Sequence, residues 1–128
     1  MTDKVVDASA IVALLFDETP REEIVDRLRG ATLYAPILLG FEVANACLKK
    51  LRTAPSERQA LLKAFSLYES LAVRFELIDL AEAIALAEQV KLTVYDASYL
   101  WLARALDAEL VTLDGKLARA EEALRSMP

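Results

Sequence analysis

KVVDASAIVALL, residues 4–15, decides how the rest of the chain is read. Two β-branched apolar residues lead into Asp7, small residues follow, and apolar side chains then return at helical spacing. That is a short buried strand over 4–7, an acid at its end, and a helix over about 8–16. The same Asp-Ala-Ser triplet recurs in TVYDASYLWLA, 93–103. Two carboxylates thus stand at two helix starts. Either both begin helices, or both are aimed at one target.

Outward from this stretch, strands and helices alternate. Thr19-Pro20-Arg21-Glu22 has the reciprocal N-terminal capping pattern, with Pro at the first helical position, and opens a helix ending near Gly30. TLYA, 32–35, reads as a strand before Pro36, and LLGFEVANACLKKLR as a helix over about 38–52. Ser56 and Gln59 form a capping pair for a helix of about 56–71. VRFELID, 73–79, alternates as a strand does. Asp79 and Glu82 cap an alanine-rich helix ending near Val90. A helix over about 95–106, a strand at 109–113 (ELVTL) and a helix over about 115–125 complete the chain. Helical connections of this length predict a parallel sheet of four to five short strands covered on both faces, an α/β three-layer α/β/α domain. One domain over 1–128 is expected.

Composition excludes much chemistry. Hydrophobic residues are 55% of the 128 and charged residues 27%, as in a globular chain. There is no histidine, and Cys47 is the only cysteine, so neither a Cys/His zinc site nor Ser-His-Asp or Cys-His catalysis is available. With three glycines, Gly30, Gly40 and Gly115, no glycine-rich phosphate loop can be built. What remains is carboxylates, hydroxyls, Lys and Arg, whose oxygen donors suit magnesium or manganese. No apolar stretch approaches the roughly 18 residues of a membrane span, and MTDKVVD does not read as a signal peptide. A lone cysteine, expected to be a buried thiol, fits a reducing cytoplasm. The net charge of −5 argues against a polyanionic partner. If four carboxylates belong to a metal site, however, the remainder is nearly neutral and can present a local basic groove.

Four acids stand out, each with an ordinary alternative. Asp7 and Asp96 can both be N-caps. Asp114 precedes Gly115, a standard turn signal. Thr112 lies two residues before it, so hydroxyl and carboxylate share one side of the strand end. Glu42, Asn45, Lys49 and Arg52 fall on one narrow stripe of their helix at about 100° per residue. That stripe is either solvated surface or a groove with an acid at its inner end and two cations further along. Asp7 ends the first strand and Asp114 follows the last, and in open α/β sheets ligands gather at the carboxyl ends of strands. The residues alone leave each pair of readings open.

VVDASAIVALL, PILLGFEVANACLK and TVYDASYLWLARALDAELVTLDGKL together resemble the PIN-domain ribonucleases, and in particular the VapC-type toxins of prokaryotic toxin–antitoxin pairs. The likeness runs essentially end to end, in the order acid after the first strand, Glu on a mid-chain helix, D-A helix start, and T-x-D after the last strand. It implies that Asp7, Glu42, Asp96 and Asp114 are the metal-binding acids of a Mg2+- or Mn2+-dependent endoribonuclease. Ser9, Asn45 and Thr112 would be accessory polar positions, and Lys49 and Arg52 candidates for RNA contact. Direct metal contact is expected from Asp7, Asp96 and Asp114, with Glu42 completing the site or orienting water. The resemblance further implies a VapB-like antitoxin that silences the toxin, a homodimer, and no membrane association. Phe65, Leu67, Tyr68 and Trp101 are candidate dimer contacts, with burial in the core as the alternative.

A divalent ion gives this acid set a physical reason. Two carboxylates about 4 Å apart repel by roughly 4 kcal/mol at an effective dielectric of about 20. Converging acids therefore need a cation, or one of them takes up a proton. Other classes fit less well. A phospho-accepting receiver domain wants an acidic pair after the first strand, and an Asp-nucleophile phosphatase wants a second Asp where Ser9 stands. The remaining alternative is a catalytically inert PIN fold that binds RNA or antitoxin without cutting.

Overall fold

The computed structural model describes residues 2–127. Four strands alternate with helices in the order β1 (Thr2–Val6), α1 (Ala8–Leu15), α2 (Arg21–Leu28), β2 (Ala31–Pro36), α3 (Leu38–Thr53), α4 (Arg58–Phe65), β3 (Arg74–Glu76), α5 (Leu80–Val90), α6 (Val94–Ala105), β4 (Glu109–Val111) and α7 (Gly115–Arg125). All strand pairings are parallel, in the order β3-β2-β1-β4. The four-stranded parallel sheet is the lower of the two expected strand numbers.

Consecutive buried residues explain the central position of β1. Val5 and Val6 point to opposite faces and neither is exposed, so both faces must be covered. Leu110 and Val111 of β4 are buried in the same way. The covering is by helices: α6 packs on β1, β2 and β4, with α5 and α7 against it, while α1 packs on α2 and α3, and α3 on α4. Ala97, Ser98, Tyr99, Leu100, Leu102 and Ala103 are all buried, more residues than any other helix buries. By contrast α3 buries only Leu39, Val43 and Cys47, one stripe at i, i+4, i+8, and leaves Phe41 exposed. Cys47 is the buried thiol expected.

Several local expectations are corrected. Pro20 is the N-cap of α2, one position outside the helix, and no side chain caps that end, so Thr19 and Glu22 do not form the reciprocal pair. Ser56 and Gln59 do not cap a helix either. Pro55–Glu57 form a 3-10 turn, α4 begins at Arg58, and the segment ends in a second 3-10 turn, Glu69–Leu71, before left-handed Ala72. The strands at 73–79 and 109–113 shrink to three residues each. For β3 the reason is its edge position. It pairs only with β2, whose last residue, Pro36, has no N–H to continue the ladder. Asp79 does accept from the Glu82 amide, but the Glu82 carboxylate accepts from Trp101 Nε1 at 2.8 Å. Phe65, Tyr68 and Trp101 are half-buried against the core, and only Leu67 of the four candidate dimer contacts is exposed.

Candidate functional site

Asp7 stands between β1 and α1, where it caps the helix and also receives two hydroxyl groups. Its Oδ1 accepts from the Ala10 amide at 3.1 Å, which caps α1, and from Ser9 Oγ at 2.7 Å. Its Oδ2 accepts from Thr112 Oγ1 at 2.5 Å. The two hydroxyls also serve the other loop: Ser9 Oγ accepts from the Leu113 amide at 2.8 Å and Thr112 Oγ1 from the Asp114 amide at 2.9 Å. Ser9 and Thr112 thereby stitch the loop after β1 to the loop after β4. Asp114 is fixed in turn, since its Oδ1 accepts from the Lys116 and Leu117 amides and caps α7. Asp7 and Asp114 therefore lie side by side at the carboxyl ends of two paired strands.

Asp96 is not an N-cap. Thr93 is, accepting from the Asp96 amide at 3.1 Å, so Asp96 sits one turn in and its carboxylate is released from capping. Glu42, half-buried on α3, is met by Tyr99 of α6, whose hydroxyl donates to Oε1 at 2.5 Å. Among the described residues no hydrogen bond is made to Oε2 of Glu42 or Oδ2 of Asp114. Each of these acids is held by one oxygen and offers the other.

Burial and like charge act together on three of the acids. Burial, first, pushes the Asp7 carboxyl above its ordinary value against the pull of Thr112, Ser9 and Ala10, and the charge of Asp114 adds to the rise. Glu42 is raised by burial and by the charges of Asp96 and Asp7, against its bond from Tyr99. Asp96 is raised by burial and by Asp114, with Lys116 opposing. The Tyr99 phenol is pushed up by burial and by the carboxylate that it serves. The four predicted acids thus face one another across α1, α3, α6 and α7.

They do not close on a point. Among the described residues no three Asp, Glu, His or Cys side chains are grouped closely enough to hold one ion. The donors suit a hard cation in kind, and magnesium commonly takes only one or two carboxylates and keeps several of its waters. Asn45, Lys49 and Arg52 lie exposed along α3, on the stripe that begins with Glu42. Tyr99 and Thr93 are the site residues that sequence reasoning missed. A Thr three positions before Asp96 is a capping signal for Thr93, whereas Tyr99 looks like any core aromatic.

The PIN domain family matches residues 4–123. Ribonuclease VapC3 of Pyrobaculum aerophilum is 35% identical over 125 residues, covering 94% of this chain and 95% of that protein. Ribonuclease VapC12 of Mycobacterium tuberculosis is 32% identical over 117 residues, 91% of this chain and 90% of that one. The crystal structure of PAE2754 from Pyrobaculum aerophilum superposes with a TM-score of 0.74 at 26% identity, over 96% of this chain and 92% of its own. With the family domain filling nearly all of the sequence and relatives matched along almost their whole length, the chain belongs to the PIN-domain family, among its VapC-type members.

Proposed function

We propose that this protein is a Mg2+- or Mn2+-dependent endoribonuclease toxin that hydrolyses RNA phosphodiester bonds and is neutralised by a VapB-like antitoxin. One observation carries the reading: in a VapC-type chain, four acids from four separate segments face each other at the carboxyl edge of the sheet, with no hydrogen bond among the described residues to one oxygen each of Glu42 and Asp114.

Asp7, Asp96, Asp114 and Glu42 would hold the ion. Such an ion supplies Lewis-acid chemistry, neutralising charge on the phosphate oxygens and making water a competent nucleophile near neutral pH. Ser9 and Thr112 fix Asp7 so that its carboxylate keeps one orientation whether or not an ion is present. Glu42, with one oxygen held by Tyr99, is suited to orient the attacking water with the other. Lys49 and Arg52 offer exposed cations for the RNA backbone along α3.

Exposed apolar side chains support the partner part of the proposal. Ile37 follows β2, Leu77 follows β3, and Phe41, Leu80 and Tyr95 are also exposed on nearby helix starts. Apolar residues clustered after strand ends invite cover by another chain, an antitoxin segment or a second copy in a homodimer. No helix among the described residues is long and apolar enough to cross a membrane. A cytoplasmic site of action fits the free thiol of Cys47.

The inert-binder reading draws on the spacing of the acids, no three of which converge. One experiment separates the two. Purified chain is given labelled RNA with chelator, then with excess Mg2+ or Mn2+. Cleavage that stops with chelator, returns with metal and is lost in Asp96→Asn supports the nuclease; RNA binding without cleavage under all conditions supports the binder.

A further inference from the structure

We infer that Tyr99 is a positioning residue for Glu42, a fixed donor in the core of α6 that holds one carboxylate oxygen so that the other is presented to the acid cluster. The inference rests on the reading of Glu42 as a site acid. Tyr99 is 1% exposed and is among the largest fully buried side chains, so its ring has one position. Glu42 is only half-buried on a helix that buries a single stripe, and its side chain has three torsions to lose. The 2.5 Å bond from the phenol to Oε1 joins residues 57 positions apart, and joins α3 to α6 at the site itself. An ionised carboxylate only accepts, so with one oxygen bound by Tyr99 the other, Oε2, is left for a donor or cation shared with its like-charged neighbours Asp96 and Asp7.

The plain alternative is that Tyr99 bonds Glu42 merely to satisfy its own buried hydroxyl. Tyr68 argues against this. Its hydroxyl is also buried close to α3, beside Gly40, yet no carboxylate is set against it among the described residues, so burial of a phenol in this core does not by itself bring an acid to it. Satisfaction alone does not account for an acid with two like-charged neighbours being the partner of Tyr99.

Tyr99→Phe keeps the ring and removes the donor. Four quantities are measured on the purified chain and on Tyr99→Phe, Glu42→Gln and the double variant. They are the metal-free melting temperature, the rise in melting temperature on Mn2+ titration, and kcat and KM for RNA cleavage, with rates referred to the folded fraction. Loss of a residue that orients a metal ligand typically costs about 10–100-fold in metal affinity or activity. Tyr99→Phe is expected to lower kcat by about that factor and to need more Mn2+ for the same stabilisation. KM should be nearly unchanged, and adding Tyr99→Phe to Glu42→Gln should cost nothing further. Wild-type kcat and Mn2+ response in Tyr99→Phe, or an equal loss in the Glu42→Gln background, overturns the inference while leaving the nuclease reading intact. A wild-type chain showing neither Mn2+ stabilisation nor cleavage overturns that reading, and the inference with it. Glu42→Asp, which draws the carboxylate back from the hydroxyl, tests the link even if Tyr99→Phe folds poorly. It should share the raised Mn2+ requirement, and a wild-type response would refute the role.

Discussion

Glu109 opens β4 and Asp114 follows its end, yet the two carboxylates live under opposite rules. Around Glu109 the charges alternate: Arg27 Nη2 donates to it at 2.7 Å and Lys4 Nζ lies 3.8 Å away. The Arg27 hydrogen bond, aided by both cations, holds its carboxyl below the ordinary value. Around Asp114 the neighbours are Asp7 and Asp96, with Glu42 beyond them, and burial plus like charge push those three upward. Lys116 is the cation that acts on Asp96 there. One end of the strand is arranged for stability. The other keeps acids together at a cost, which is where a functional site is to be sought.

The contrast breaks first, and most severely, at Asp7. Asp7→Asn should reduce RNA cleavage by about a thousandfold or more, since the lost charge is one that metal-assisted hydrolysis would use for several kcal/mol of transition-state stabilisation. Its effect on folding should have the other sign. Asn is as good an N-cap as Asp, Thr112 can still meet its side chain, and a buried charge beside Asp114 disappears. The metal-free melting temperature near pH 7 should stay level or rise. A melting temperature many degrees lower would mean that the Asp7 carboxylate is a structural anchor, and the two ends of β4 would no longer differ in kind.

Acid titration sharpens the comparison next. Asp7, Glu42 and Asp96 have raised values in the folded protein, so the folded state binds protons more readily than the unfolded chain. Their contribution to stability is complete below the unfolded carboxylate range and is lost as pH rises through the folded values. Glu109 is lowered, so its contribution is present above the unfolded value and is lost as pH falls through the folded one. Metal-free protein should therefore lose stability from the site acids as pH rises above the ordinary carboxylate range. Mn2+ should reverse the trend, because its ligands must be deprotonated. Melting curves with and without Mn2+ between pH 5 and 8 check this, and Asp7→Asn should flatten the metal-free slope.

Thr93→Ala comes third. It removes the cap from α6 and should cost about 1 kcal/mol, read as a shift in the urea midpoint at constant slope. If cleavage falls by more than the change in folded fraction, the start of α6 also aims Asp96, and the site extends to the threonine that caps its helix.

How much of this was legible beforehand follows from the range over which each feature acts. The β1–Asp7–α1 unit could be read because a buried parallel strand and an N-cap are both written in adjacent residues. Asp7, Asp96 and Asp114 could be singled out because strand ends and helix starts mark such positions, whereas Glu42, a turn into α3, stood out only by its helical stripe and by the family resemblance. What failed was local pattern without burial behind it. Ser56 and Gln59 satisfy a capping rule, but α4 buries no residue completely, and Pro55 sets a 3-10 turn first. The capping alternative for Asp96 falls away because Thr93 competes for that place and wins. The contacts that build the site, Ser9 to Thr112 and Tyr99 to Glu42, span 103 and 57 positions and leave no local trace.

The smallest effect is expected at the paired end. Glu109→Gln removes the charge that Lys4 and Arg27 share, but it strands neither of them. Lys4 Nζ also donates to the Arg27 carbonyl, and Arg27 is one-third exposed. Ion pairs that reach solvent are worth about 0.2–1 kcal/mol, so the melting temperature should fall only slightly, and less in high salt. RNA cleavage should stay within about twofold, because Glu109 and Asp114 are separated by the whole of β4. A loss of about 3–5 kcal/mol would belong to a buried pair broken on one side. Lys4 would then be a desolvated charge in its own right, and both ends of the strand, rather than one, would be holding charge at a cost.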